Sequence, residues 1–449
     1  MPRFALVPAP PRPERVLPRR LGSIPMPRPA LGPALLALAL LVALAAPALA
    51  DPPAAPVPAV DVSGSINLGF FAARDAYFGA DAQPGGHSPD YRWAEAIGRL
   101  RLGKEFGEHL AIEVGGVAVR TQGADYYGVE DEGFAALELA KLTFKKIGGA
   151  NLDVALGRQE VVFGDGFLLG DGYYDYRAGV WSVPLNYFDA ARVDYAAGAW
   201  RATALAAKLS PSYGPQWGAL YGVDVAWQVA PNATLGATRL ARNDSGPTDN
   251  NARATSIRGA ATFGRLRVAG EAAIERGTIQ GRRLDASAWH ADAAWRFAAG
   301  HDAPYVRGAY FFFSGDKPGA GDVEGWYSWN YRWNDWNQYY LGDINGSQTF
   351  ADNTDKKVAL LEAGFKPSAK LRLRVFALRT RLDTGAFFGL PAGAPRDFSD
   401  EVDAVLDYGA TEKLSFWFFA GWSRPRDAAK LIYGDKNGAE LFANMTFNF

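Results

Sequence analysis

The sequence predicts an all-β fold: a transmembrane, antiparallel up-and-down β-barrel of about 18 strands, with 16 as the alternative count. Three observations carry this. Stretches of roughly ten to fourteen residues alternate apolar and polar side chains, the period of a strand with one face in hydrocarbon and the other in water. The connections between them alternate between tight turns and longer loops. The final stretch keeps the same period, with Leu441, Ala443, Met445, Phe447 and Phe449 on one face and Asn444, Thr446 and Asn448 on the other. The competing reading of those last residues is the edge strand of a soluble sheet.

Composition bounds the function. The 449 residues carry 47 basic and 48 acidic side chains, with 50 glycines, 13% aromatics and no cysteine. Balanced charge without a basic tract excludes a nucleic-acid surface. Disulfides and thiolate metal sites are excluded too. After residue 50 no apolar run approaches the roughly 18 residues of a spanning helix, so a membrane crossing must use strands.

Leu35 to Leu49 (LLALALLVALAAPAL) has the length of a signal-peptide core, and Ala48-Leu49-Ala50 supplies a small-x-small cleavage pattern. Residues 1–50 are therefore expected to be a signal peptide, with Asp51 first in the mature chain. Met26 is the expected true start, since it leaves a leader of ordinary proportions with Arg28 at its positive end. Residues 51–60 (DPPAAPVPAV) read as a Pro/Ala linker too poor in donors to join a sheet, and 61–449 as the barrel. Export followed by a closed sheet implies the outer membrane of a Gram-negative bacterium.

In chain order the strands are expected near 61–72, 92–106, 109–121, 133–146, 151–162, 187–196, 200–209, 218–229, 233–242, 253–263, 265–276, 284–298, 304–314, 356–366, 370–382, 400–410, 413–424 and 437–449. Three show the pattern cleanly. Tyr221, Val223, Val225, Trp227 and Val229 oppose Gly222, Asp224, Ala226 and Gln228. Trp289, Ala291, Ala293, Trp295 and Phe297 oppose His290, Asp292, Ala294 and Arg296. Leu266, Val268, Gly270, Ala272 and Ile274 oppose Arg267, Glu271 and Glu275. In 370–382 the alternation changes phase around Phe376, which fits either a bulge or a rim position.

Gly107-Glu108, Gly148 to Ala150, Ala197 to Ala199, Pro231-Asn232, Gly264, Gly300-His301, Pro367-Ser368 and Thr411-Glu412 are the tight turns. Longer loops are expected at 73–91, 122–132, 163–186, 210–217, 243–252, 277–283, 315–355, 383–399 and 425–436. Strict alternation puts both chain ends on the short-turn side, as periplasmic turns and extracellular loops require. Trp200, Trp227, Trp295 and Trp422 lie near strand ends, where indole rings sit at lipid headgroups.

A barrel this wide cannot be filled by wall side chains alone. The polar faces assign Arg99, Arg101, Lys141, Arg158, Arg192, Arg201, Arg258, Arg267, Arg296, Arg307, Arg372 and Arg374 to the interior. They also assign Glu113, Asp194, Asp224, Glu271, Glu275, Asp292, Glu362, Asp403 and Asp407. The modest basic excess points to a channel that prefers anions. The alternative is cross-strand Arg/acid pairs that brace the wall.

Residues 157–192 carry a motif. Gly157-Arg158-Gln159-Glu160, Gly164-Asp165, Leu168, Gly170, Phe188-Asp189-Ala190 and Arg192 resemble the pattern of the alginate-export family of outer-membrane barrels. The sequence departs from it at Gly166-Phe167, where a basic residue is usual, and at Tyr173-Tyr174, where a tryptophan is. The resemblance implies an electropositive constriction passing an anionic polysaccharide, with Arg158 and Arg192 inward and Asp165 and Asp189 as path or anchoring acids. It implies periplasmic polysaccharide-export proteins as partners. The terminal Phe449 likewise resembles the closing signal read by the barrel assembly machinery, and outer-membrane lipid is the remaining partner.

Trp326, Trp329, Trp333, Trp336 and Tyr340 recur at helical spacing, suiting either stacking on sugar rings or packing into the barrel mouth. The run from Asn243 to Asn251 offers oxygen ligands for a calcium ion near Asp244, against a plain solvated loop. No other cofactor is expected. Among four histidines only His290 lies mid-strand, and Ser287 falls on the opposite face, so an enzyme is not expected. The expected function is an outer-membrane channel for an anionic polysaccharide or acidic sugar. The alternatives are a general or small-solute diffusion porin and a loop-displaying adhesin.

Overall fold

The computed structural model describes residues 60–79, 90–124, 133–170, 187–209, 217–245, 250–300, 302–317, 319, 321–327 and 354–449. The chain divides into Met1–Ala59 and Val60–Phe449. The expected leader, and the linker apart from Val60, lie outside the described residues.

Val60–Phe449 is a single closed antiparallel sheet of 18 strands. They are β1 (Asp61–Arg74), β2 (Tyr91–Phe106), β3 (Leu110–Ala124), β4 (Gly133–Phe144), β5 (Leu152–Gln159), β6 (Phe188–Ala197), β7 (Trp200–Leu209), β8 (Trp217–Ala230) and β9 (Ala233–Ser245). The second half comprises β10 (Asn250–Phe263), β11 (Leu266–Ile279), β12 (Arg282–Arg296), β13 (Tyr305–Phe313), β14 (Lys356–Ser368), β15 (Leu371–Leu382), β16 (Asp397–Gly409), β17 (Leu414–Pro425) and β18 (Gly438–Asn448). Each strand pairs with its neighbours in sequence, and β1 pairs with both β2 and β18. At the seam Leu68 faces Met445 and Asn67 faces Thr446, the latter through a 2.8 Å side-chain hydrogen bond. Phe449 and Gly64 exchange backbone hydrogen bonds of 3.1 and 3.0 Å, and Gly64 has no Cβ to strike the Phe449 ring.

Alternation sorts the two faces. Leu68, Phe70, Tyr221, Val223, Ile257, Phe263, Ile274, Leu361, Val402 and Leu441 are exposed, and each belongs to the outward set of its strand. A continuous apolar surface of this kind is unfavourable in water and suits hydrocarbon. Trp200 and Trp227 face each other across β7 and β8 and stack at 5.0 Å, while Trp295 and Trp422 are also exposed on the outer face. These are the positions expected for interfacial rings.

Two expectations change. The connection expected over 277–283 is instead a tight hairpin: β11 and β12 pair as far as Ile279 with Arg282, leaving Gln280 and Gly281 to turn with φ of 53° and 74°. Positive φ at both turn positions matches strand twist. The other change concerns Phe376, which marks no change of phase. Register shifts in β15 pairing fall at Phe365/Ser368 and Thr380/Arg381, and Phe376 faces inward, 1% exposed. Aromatic side chains share the interior here with buried acids, for Phe376 lies between its register partners Glu362 and Asp403. Phe71 stacks on Trp93 at 4.5 Å and meets Phe442 at 4.8 Å, and Phe442 stacks on Phe419 at 5.1 Å. The strand geometry holds while the polar-inward rule lapses.

A second apolar cluster lies beside the long-loop end of β15 to β18. It joins Phe78, Leu382, Leu390 and Phe398 to Ala428 and Ala429 of α1 (Asp427–Ile432). The buried Asp355 holds the neighbouring loop by accepting backbone hydrogen bonds from Thr384, Gly385 and Phe387 at 2.6, 3.0 and 3.1 Å.

Gly157 in β5 has a φ of 109°, and an added Cβ would run into the Ala140 carbonyl oxygen of β4. Gly157→Ala is therefore expected to destabilise the barrel by about 1–3 kcal/mol. Heat-modifiability on gels should show unfolding at a lower temperature. An unchanged transition would refute the strain.

Candidate functional site

The interior wall is built from alternate residues of neighbouring strands, so charges on one strand meet charges on the next at sheet spacing. Arg258 (β10) forks onto Asp224 (β8) with hydrogen bonds of 2.7 and 2.8 Å and donates to Thr238 (β9) at 2.9 Å. Asp292 (β12) takes both Arg267 (β11) at 3.1 Å and Arg307 (β13) at 3.3 Å, and Arg307 reaches on to Glu362 (β14) at 3.2 Å. Lys141 pairs with Glu113 at 2.5 Å, Arg192 with Asp194 at 2.7 Å, Arg99 with Glu138 at 3.0 Å, Arg101 with Glu160 at 3.2 Å and Arg374 with Asp407 at 3.4 Å. Arg296 and Arg372 also lie on inward positions, facing Tyr305 and Asp407 respectively. Apart from Arg192–Asp194, both on β6, these pairs reach from one strand to another or, for Arg101, to Glu160 just past β5.

Arg158 and Asp189 are corrections. Arg158 shares its face of β5 with Leu156, which is exposed to the outside, and its register partner on β6 is Asp189. Ala190, between Asp189 and the inward positions of β6, faces buried Ala207, which puts Asp189 and its partner Lys208 outward. The guanidinium binds Asp189 at 2.8 and 3.0 Å, donates to the Leu137 carbonyl at 2.8 Å and lies 3.9 Å from the centroid of the Tyr187 ring. Leu152, Val154, Leu156 and Arg158 form one alternating set, so β5 can put its aliphatic side chains in lipid only by turning Arg158 out with them. Arg192 does face inward, against Ala155.

Beyond Gln159 the chain leaves the sheet and turns into the barrel. Val161, Phe163, Phe167, Leu168 and Leu169 are at most 3% exposed. Phe163 packs where Gly222 of β8 leaves space, and Gly164 lies against the Arg258 guanidinium. The Phe167 ring sits 5.0 Å from His290, 5.9 Å from Phe313 and 6.3 Å from Trp326. Backbone bonds from Phe163 N–H to the Leu169 carbonyl (2.9 Å) and from Gly166 N–H to the Phe163 carbonyl (3.0 Å) make residues 163–169 a closed knuckle. It presents Asp165 to His290, with Oδ2 3.5 Å from Nε2. Burial works against the Asp165 charge, yet the His290 ring, the Phe167 N–H and Arg258 together hold its carboxyl below the usual carboxylate range.

A second inward segment follows β13. Val323 pairs with Leu284 of β12, Trp326 N–H donates to the Ser314 carbonyl at 2.8 Å, and Tyr327 N–H donates to buried Glu275 at 2.8 Å. Trp326 is 5% exposed, so it packs into the mouth and does not stand free for sugar stacking. Trp329, Trp333, Trp336 and Tyr340 lie outside the described residues. Asn243 and Asp244 continue β9, Asn250 and Asn251 begin β10, and residues 246–249 lie outside the described set.

Sequence reasoning missed several inward groups. Glu95, Glu401 and Glu440 are buried acids on inward positions, and Arg242 and Lys356 are inward cations near Tyr327 and Phe313. Parity within their strands would have found them. Glu138 was not legible: it is the extra residue where pairing slips between Gly115 and Gly116 of β3. With these acids counted, the apparent basic excess disappears.

No family model matches the chain, and no curated protein does. Solved barrels match it in fold. Acinetobacter baumannii OccAB1 superposes with a TM-score of 0.57 at 12% identity, over 87% of this chain and 97% of that one. Pseudomonas aeruginosa OprD gives 0.55 at 12%, over 87% and 95%, and the P. aeruginosa outer membrane protein OpdK gives 0.54 at 11%, over 87% and 99%. At such identity the fold is what is shared. These are OprD/Occ outer-membrane porins and not alginate-export barrels, which overturns the resemblance read from residues 157–192. The outward Arg158–Asp189 pair agrees, since two of the four charges the resemblance assigns to the path never meet the lumen.

Asp224→Asn removes the charge partner of Arg258 while keeping its shape. It is expected to destabilise the barrel by about 3 kcal/mol or more, because a largely buried cation loses its counter-charge. In bilayers it should move the reversal potential toward anions. An unchanged melting transition and unchanged selectivity would remove this pair from the account.

Proposed function

We propose that the barrel is an outer-membrane diffusion channel for small hydrophilic solutes. The observation that carries this reading is the wall itself: inward arginines and acids paired across strands, narrowed by a knuckle whose apolar side chains anchor it to β8–β13. A wall of balanced pairs offers water and polar solutes a lining of hydrogen-bonding groups without a strong field of one sign. The knuckle sets the width. The likeness in fold to OprD/Occ porins supports the same reading.

Reconstituted in planar bilayers, the protein is expected to give discrete conductance steps of weak ion selectivity, and proteoliposomes should swell in small neutral sugars. A Phe163→Ala, Phe167→Ala, Leu169→Ala variant loosens the knuckle and should raise the conductance or add gating noise. Absence of steps above those of protein-free bilayers would refute the channel. Wild-type conductance and noise in the triple variant would refute the knuckle as its narrowing.

A further inference from the structure

We propose that Asp165, Glu271 and His290 bind a divalent transition-metal ion of the Zn²⁺ class and so fasten the knuckle to the barrel wall. Glu271 and His290 are direct register partners on β11 and β12, and both point inward at 5% exposure. Asp165 comes from the knuckle, across the lumen face of the same two strands. One ligand atom from each of the three lies within 4.8 Å of the others.

The three are more than neighbouring acids. Nδ1 of His290 and Oε2 of Glu271 are buried without a hydrogen-bond partner, and Nε2 meets only Asp165 Oδ2, at 3.5 Å. Native structures rarely leave such atoms unsatisfied, and an unmet group of this kind points to an ion or water. A lone imidazole nitrogen between two carboxylates matches the ligand preference of Zn²⁺ and its neighbours in the first transition row, whereas Ca²⁺ and Mg²⁺ favour all-oxygen shells.

Distance and charge agree. Ligands about 2.0–2.2 Å from a tetrahedral zinc stand about 3.4 Å apart, and His290 Nε2 already lies 3.5 Å from Asp165 Oδ2. Glu271 has only to close by a small side-chain movement. Two carboxylates face the site, and the nearby Arg258 is engaged by both oxygens of Asp224. Entry is open, because the Asp165 side chain is 49% exposed. Phe167 and Phe311, with ring centroids 5.0 and 5.9 Å from that of His290, hold the imidazole between apolar surfaces.

The test uses the full chain folded in detergent and stripped with EDTA. Titrated with Co²⁺, it should develop the visible absorption of a low-coordinate site at one ion per barrel, and calorimetry should show Zn²⁺ binding with the same stoichiometry. His290→Gln and Asp165→Asn should each weaken binding by about tenfold or more, while His109→Gln, at an exposed turn, should leave it unchanged. Asp165 lies off the wall, so its variant keeps the barrel, which heat-modifiability verifies. Ion uptake by wild type no greater than by His290→Gln would overturn the proposal. So would a resting imidazolium bridging the two carboxylates, seen as a protonated His290 by NMR together with no Co²⁺ spectrum.

Discussion

The hydrogen-bonded seam between β1 and β18 is the constraint on which the rest depends. In hydrocarbon a backbone N–H or C=O has no water to turn to, so a sheet with open edges is not viable and the two outer strands must find each other. That requirement explains the terminal residues. Phe449 and Gly64 exchange backbone bonds, and the aromatic ring covers Gly64, which has no side chain to obstruct it. Once the cylinder is closed, strand parity fixes every side chain as lipid-facing or lumen-facing, and no single residue can reverse its side without a bulge.

Two kinds of packing then share the interior. Where charges face inward they come in cross-strand sets, such as Arg267, Asp292, Arg307 and Glu362 on four successive strands. Each set spares its members an unpaired charge in a partly dehydrated wall. Elsewhere apolar side chains pack inward, with Phe71, Trp93, Phe376, Phe419 and Phe442 interleaved with the buried acids Glu95, Asp403 and Glu440, and the knuckle lying against β8–β13. Residues 161–169 can turn into the barrel because the wall there is hollowed for them: Gly222 leaves room for Phe163, and Gly236 for Arg258. The inward segment is therefore a packed feature of the wall, and it carries Asp165.

Most of the fold was legible in the sequence because lipid and water impose a period-two signal. Strand positions followed from residues such as Tyr221, Val223 and Val225 against Gly222 and Asp224. The errors lay where that signal carries other information. Phe376 looked like a change of phase because an aromatic residue sits inward between the acids Glu362 and Asp403, and Gly281 looked like a long loop because glycine serves both. Arg158 was placed inside on its chemistry, although Leu152, Val154 and Leu156 shared its parity. The site was less legible. The pairing of Arg258 with Asp224, two strands apart, and the approach of Asp165 to His290 depend on register and on a loop path that alternation does not encode.

Closure can be read directly, since the chain contains no cysteine. Leu68→Cys with Met445→Cys puts two thiols on facing residues of β1 and β18, within reach of each other or of a short bifunctional thiol reagent. In folded protein the pair should cross-link within one chain, and the linked product should stay compact on gels after boiling. If the thiols in membrane-inserted protein remain free or link only between chains, the sheet is open and the account fails.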